Sequence, residues 1–393
     1  MDARLTDEQE QIQETARDFV ESNGGIELAR RRMEGEEGVV DELWGDLADL
    51  DYTAITVPFD YEGFGEGMVY LCALLEATGR YALPGPLAET TAVAAPLIDE
   101  LGTDEQKDRH LPAIASGEER FSVALYDETD QDLPEAIRMD AEPLEDGYRL
   151  SGSKSLVPYG GEVDRVVLAA RTQEGTGFEG ISLFVVDPAD AEITQQRSLD
   201  RTRPVYTLEF DDVVVDEDAA LGPRHDGGDA LSRALDRYGV AICAMLVGAA
   251  DRAVELSAEY GNERTQYGQP IGRFQAVKHR ISDMWAEKEH TRSLTYYAAW
   301  AIDNDTPDAR RAATMAKAYA GEHMHDVFAA DVKNHGGMGF TWDHDAHIYL
   351  KQARAFQQYL GAPERDLDRV ADIRDYSSRT LPDYPELTTE PFN

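Results

Sequence analysis

Apolar residues recur at helical spacing through roughly the first third of the chain. Leu5-Thr6-Asp7-Glu8-Gln9 opens a helix, with Thr6 as cap and Gln9 completing a capping box, and Ile12, Ala16 and Phe19 follow on one face. Leu43, Leu47 and Leu50 stripe a second helix over 40–50. After a glycine-rich turn at 61–67, the pattern predicts helices over 68–79 and 87–101, then a capped helix with a glycine stop over 102–118. The period then drops to two. Short β-branched runs at 121–125, 147–157, 165–170, 181–186 and 206–215 predict strands, several of them separated by Asp-Gly or Gly-rich turns. From Gly227 the helical period returns: Leu231, Leu235, Tyr238, Ile242, Leu246 and Ala249 form one stripe, and further helices follow over 310–331 and 345–360. Gly361 and Pro363 read as the stop of the last helix, and the proline-bearing tail from Arg374 as an extended arm. The expectation is an α+β chain, mainly α: helices over 1–120, a small β domain over 121–222, a helical bundle over 223–373 and a tail over 374–393.

Charge adds a setting. The chain has 77 acidic against 37 basic residues, a formal net charge of −40, with 42% hydrophobic residues. That is a globular chain whose carboxylates keep its surface hydrated, as suits a very salty cytoplasm that screens their repulsion. Nucleic acid is excluded as a partner, because phosphate neutralisation needs a basic face. The acidic start is no signal peptide, and the longest apolar run, 239–250, is too short to span a bilayer. Cys72 and Cys243 sit in apolar helical surroundings and read as buried thiols of a cytoplasmic protein.

One stretch runs against the charge. Between Arg264 and Arg280 lie Arg264, Arg273, Lys278 and Arg280 and no acidic residue, with Gly268, Pro270 and Gly272 breaking the helix. Fixed guanidinium groups suit a phosphate-bearing ligand, and they equally suit a basic helix surface paired with acidic neighbours. His323, His325, His344 and His347 lack a third cluster that would complete a metal shell, so no metal is expected. Gly35, Gly38, Gly63 and Gly65 form no phosphate loop, since no Gly-Lys-Ser/Thr follows them.

The domain order, Arg264-Thr-Gln-Tyr-Gly-Gln-Pro-Ile-Gly-Arg-Phe-Gln, His335-Gly-Gly-Met-Gly-Phe-Thr-Trp and the Leu101 to Glu118 segment together resemble the acyl-CoA dehydrogenase superfamily over nearly the whole chain. The resemblance implies two helical domains flanking a β domain, assembled as a homodimer or homotetramer or paired with a homologous chain. It implies FAD as cofactor, an acyl-CoA as substrate and an electron-transfer flavoprotein as electron acceptor. Arg264, Gln266, Tyr267, Phe274 and Gln275 match positions that reach the FAD of the neighbouring subunit. Lys333, Gly336 and Gly337 match the segment at its pyrophosphate and adenine end. Leu125-Tyr126-Asp127-Glu128 stands where the family has Leu-Thr-Glu-Pro beside the cofactor, a departure from its pattern.

This sequence departs from the family where the chemistry is done. The family's commonest base, the Glu of Tyr-Glu-Gly-Thr, is replaced by Leu360, which keeps only a backbone N–H for the thioester oxygen. Relatives that place the base on the preceding helix point to Tyr238, or to an acid at Asp236, the candidate base here. Two residues turn a helix by about 200°, so those two face different surroundings. Asp236 beside Arg237 also reads as a surface ion pair. Leu156-Val157-Pro158 replaces the Trp-Ile-Thr beside the flavin ring, losing a hydroxyl. These departures motivate a second reading: a non-catalytic partner that shares FAD sites with a homologous chain.

Overall fold

The computed structural model describes residues 5–127 and 133–373. Glu128 and the tail expected from Arg374 lie outside them.

The N-terminal part is helical: α1 (Asp7–Ser22), α2 (Ile26–Met33), α3 (Val39–Asp49), α4 (Met68–Gly79), α5 (Ala95–Leu101) and α6 (Asp104–Ala115). The expected box at α1 forms, with Gln9 N–H donating to Thr6 Oγ1 at 3.3 Å and Thr6 N–H to Gln9 Oε1 at 3.0 Å. The helix expected over 87–101 is interrupted by a π-turn at Glu89–Ala94 before α5. That wider turn carries a buried carboxylate, Glu89, discussed below. Helix α2 has no counterpart in the hydrophobic pattern. Its polar run Arg30–Arg32 hides a short stripe of Leu28, Ala29 and Met33.

The middle part is one sheet of β1 (Phe121–Ala124), β2 (Asp140–Leu144), β3 (Gly147–Pro158), β4 (Arg165–Arg171), β5 (Ile181–Val186), β6 (Glu192–Gln195), β7 (Val205–Asp216) and β8 (Ala220–Leu221). The order is β6-β7-β3-β2-β4-β5-β8, and β1 pairs in parallel with β4. Strands β2 and β6 were not expected: β6 is exposed at every position, so no alternation marks it. The sheet has its own core around Leu150, Val166, Leu168, Phe184 and Leu208.

The C-terminal part holds α7 (Gly228–Glu263), a ribbon of β9 (Thr265–Gln266) and β10 (Gln269–Pro270), then α8 (Gln275–Asp303), α9 (Ala309–Asn334), α10 (Ala346–Gln358) and α11 (Pro363–Ile373). Helix α11 corrects the expectation that Pro363 ends the helical region. Proline at a first helical position costs no hydrogen bond, so the same residue that stops one helix starts the next. Among the described residues no helix is long and apolar enough to cross a membrane.

Helices α4 and α7 meet backbone to backbone. A Cβ on Gly248 would lie 1.8 Å from the carbonyl oxygen of Glu76, and one on Gly79 would lie 2.3 Å from that of Met245. Gly248→Ala must therefore force the helices apart, and we expect a loss of about 2 kcal/mol or more in chemical denaturation. A denaturation midpoint equal to the parent's would show that the helices are less tightly apposed.

Candidate active site

The site is built around the turn between α10 and α11. Tyr359 ends the helix, Leu360 (φ +64°) and Gly361 (φ +108°) reverse the chain in the left-handed region, and Pro363 restarts it. Two elements clamp this turn. Lys317 of α9, buried, donates to the Gly361 carbonyl at 3.1 Å and pairs with Asp366 at 3.4 Å. Tyr126, at the end of β1, accepts the Leu360 N–H at 2.9 Å. The Leu360 N–H, expected to face a thioester oxygen, is here bonded within the chain.

Behind the turn lies a buried polar cluster that the hydrophobic pattern did not disclose. Tyr359 meets Tyr126 and Tyr238 edge-on, at ring separations of 5.8 and 5.7 Å. The Arg203 guanidinium, from the loop before β7, lies 4.9 Å from the Tyr359 ring and 5.2 Å from that of Phe356. It pairs with Glu89, and Tyr238 donates to Glu89 Oε1 at 2.6 Å. Glu89 is 1% exposed, and Arg203 and Tyr238 satisfy its carboxylate. Tyr238 is thereby committed to a structural pair. The Tyr359 hydroxyl is also buried, close to Tyr238 and Arg203.

Asp236 faces elsewhere, as the helical turn between it and Tyr238 requires. It shares a cavity of about 40 Å³ with Lys317, Leu360, Asp366 and Arg369. Among the described residues it makes no hydrogen bond or ion pair, which corrects the reading of an Asp236–Arg237 surface pair. Burial pushes its carboxyl up to about 7, against the pull of Arg310, Arg369 and Arg237 and with the help of Asp366. A half-buried acid poised near neutrality beside a turn of defined geometry is what proton abstraction needs. The cavity has room for a water or two, not for a thioester and its chain.

The basic stretch forms a second region. Tyr267 (φ +53°) and Gly268 (φ +78°) make the two-residue turn of the β9–β10 ribbon, whose paired positive φ angles match the twist of a hairpin. Tyr267 is 93% exposed and its ring lies edge-on to Phe274, 6.0 Å away. Among the described residues Arg264, Arg273 and Lys278 make no ion pair. Arg280 donates to Asn334 Oδ1 at 3.0 Å, Asn334 donates to Ser257 Oγ at 3.0 Å, and Ser257 donates to Asp331 Oδ1 at 2.7 Å. This chain of bonds ties the stretch to the end of α9. There His335 is held by Asp331, whose carboxylate and carbonyl raise its pKa against the lowering effect of burial. Beyond it Gly336 and Gly337 have nothing within 4 Å of where a Cβ would stand, and Lys333 is exposed. Gln266 and Gln275 are exposed beside them.

Comparison with known proteins decides the assignment. The acyl-CoA dehydrogenase N-terminal domain profile matches residues 6–118 and the C-terminal domain profile matches residues 225–373. The chain belongs to the acyl-CoA dehydrogenase family. It is 32% identical to a variant of the steroid ACAD Tcur3481–Tcur3483, with a TM-score of 0.83 over 94% of this chain and 98% of that one. It is 26% identical to a chain of the ChsE4–ChsE5 complex from Mycobacterium tuberculosis, with a TM-score of 0.86 over 97% of this chain and 100% of that one. It is also 27% identical to subunit CarC of the caffeyl-CoA reductase–Etf complex of Acetobacterium woodii, over 92% of this chain and 96% of that protein.

FAD is the cofactor of acyl-CoA dehydrogenases, and the two ends of its expected site differ in this chain. The dinucleotide end fits in its chemistry: Arg264, Arg273 and Lys278 make no ion pair among the described residues, and Gly336 and Gly337 leave their backbone open to a phosphate. At the flavin end the polar groups are already engaged. The Leu125 carbonyl accepts from Lys154 at 3.3 Å, the Tyr126 hydroxyl accepts from Leu360, and the Leu156 N–H donates to Gln196 Oε1 at 3.1 Å. Among the described residues no group of three or more His, Cys, Asp or Glu side chains is placed to hold a metal ion.

Proposed function

We propose that the chain is an FAD-dependent acyl-CoA dehydrogenase of a salty cytoplasm that oxidises the α,β bond of an acyl-CoA thioester. The observation that carries the proposal is Asp236, unpaired and raised to about 7, on the same cavity as the Leu360 turn. In its ionised form Asp236 takes the α-proton and becomes a neutral acid, a form its half-buried site favours. The charge developing on the thioester oxygen needs a donor, a role the family resemblance gives to the Leu360 N–H, which Tyr126 accepts at 2.9 Å. Tyr126 must turn away from that N–H before substrate enters. FAD, when bound, supplies the acceptor for the β-hydride. Arg264, Gln266, Tyr267, Phe274, Gln275, Lys333, Gly336 and Gly337 would hold its dinucleotide end from a neighbouring protomer, in a homodimer or homotetramer. Leu125 and Tyr126 would lie at its flavin end. An electron-transfer flavoprotein as acceptor is supported by the likeness to the caffeyl-CoA reductase–Etf subunit.

Arg264→Ala should weaken FAD binding at least about tenfold, since a charge-assisted phosphate contact is removed. Fluorescence titration of the stripped protein with FAD measures it, and an unchanged affinity would take Arg264 out of the site.

A second reading has its own support. The closed turn at Leu360, held by Tyr126, together with an open basic edge, suits a chain that lends Arg264 and its glycines to FAD held by a homologous partner. The likeness to a chain of the ChsE4–ChsE5 complex is in keeping with it. Steady acyl-CoA oxidation by the chain alone, with a dye acceptor, rules this reading out. Activity that appears only on adding a homologous chain supports it.

A further inference from the structure

Helices α2 and α3 and their connection face the sheet across an open cleft of about 990 Å³, separate from the Asp236 cavity and from the Arg264 stretch. Its volume is that of a site for a small organic ligand. Four arginines line it. Two are neutralised by the chain itself, Arg32 by Glu162 and Arg120 by Asp41 and Asp164. The other two, Arg197 and Arg201, are exposed and make no ion pair among the described residues, in a chain with a formal charge of −40. They stand four residues apart on the loop between β6 and β7, and both line the cleft.

The rest of the lining narrows the ligand. Gln195, Gln196 and Ser198 offer amide and hydroxyl groups, and Glu37 and Asp41 offer acceptors. Gly35 (φ +91°) and Gly38 (φ +80°) leave their backbone open, with nothing within 4 Å of a Cβ position. A lipid chain finds only Val40, Val163, Pro204 and Tyr206 as apolar wall in a lining that is mostly polar, and a polyanion would meet Glu37, Asp41, Glu162 and Asp200. A small body with hydroxyl or amino donors and one or two phosphates suits both sets of groups.

We infer that this cleft is a binding site for a nucleoside phosphate, gripped by Arg197 and Arg201. The loop that carries these arginines also reaches inward. Gln196 holds the Leu156 backbone by the bond at 3.1 Å, and Arg203 fills the aromatic box behind Leu360. A ligand that tightens the loop therefore acts on both ends of the expected active site.

The test is calorimetric titration of the FAD-loaded protein with ADP, coenzyme A and pyrophosphate as probes. The parent should bind ADP saturably, and Arg197→Ala/Arg201→Ala should bind it at least about tenfold more weakly. Arg109→Ala, at an exposed arginine outside the cleft, should bind ADP as the parent does. Coenzyme A binding more tightly than ADP, and likewise lost in the double variant, assigns the cleft to the nucleotide end of the substrate; ADP binding at least as tight assigns it to a free nucleotide. Both arginines are exposed, so an unchanged melting curve certifies the variant's fold. The inference is overturned if no probe binds at millimolar concentration, or if ADP binding is undiminished in the double variant. Pyrophosphate binding as tightly as ADP also overturns it, because the site would then read a bare anion.

Discussion

Asp236→Asn should lose turnover by about a hundredfold or more while keeping the flavin spectrum of the parent, because an amide cannot take the α-proton yet fills the same space. In the parent, kcat/KM should rise with pH through about 7, as the carboxyl ionises, and this limb should vanish in the variant. Stability gives an independent reading with a definite sign. A carboxyl whose folded pKa is raised holds its proton more tightly in the folded state. Its contribution is full below the unfolded carboxylate range, near 4, and is lost as pH rises through about 7. The asparagine variant escapes that loss and should melt higher than the parent above neutral pH. Pre-steady-state mixing with acyl-CoA and thermal melts across the pH range measure both effects. Full turnover in the variant would remove Asp236 from the chemistry.

Arg203→Met carries the largest expected cost in stability. It leaves Glu89, 1% exposed, without its cationic partner, a situation that costs about 3–5 kcal/mol. The double variant Glu89→Gln/Arg203→Met removes both charges and should recover most of that loss. Urea denaturation of the parent, both single variants and the double variant gives the coupling directly. If the single and double variants were equally unstable, the pair would matter for packing alone.

Local rules account for much of the architecture. The stripe Leu231, Leu235, Tyr238, Ile242 announces α7, and β-branched runs announce β3 and β7 as well as β4 and β5, the last two as continuous apolar runs buried on both faces. The exposed β6 shows none, and in α2 three buried positions are masked by arginines. Pro363 is ambiguous by nature, ending one helix and starting another. In the site, Arg264 and Gly336–Gly337 could be found because they depend on segments whose residues are contiguous. The Arg203–Glu89–Tyr238 cluster could not: its members come from a loop, a π-turn and a bundle helix, and nothing in the sequence around Arg203 marks it. The Tyr126–Leu360 bond is hidden for the same reason, since 234 positions separate its partners. The charge on Asp236 was equally out of reach, because its position follows from what α9 and α11 bring to the cavity rather than from Arg237 beside it.

The most direct test is the visible spectrum of the purified chain in concentrated salt, with FAD supplied, before and after a panel of acyl-CoA esters under anaerobic conditions. A bound flavin that bleaches with at least one ester is the predicted result. A protein that stays colourless with FAD present, so that the cations between α7 and α8 grip no dinucleotide, would contradict the account.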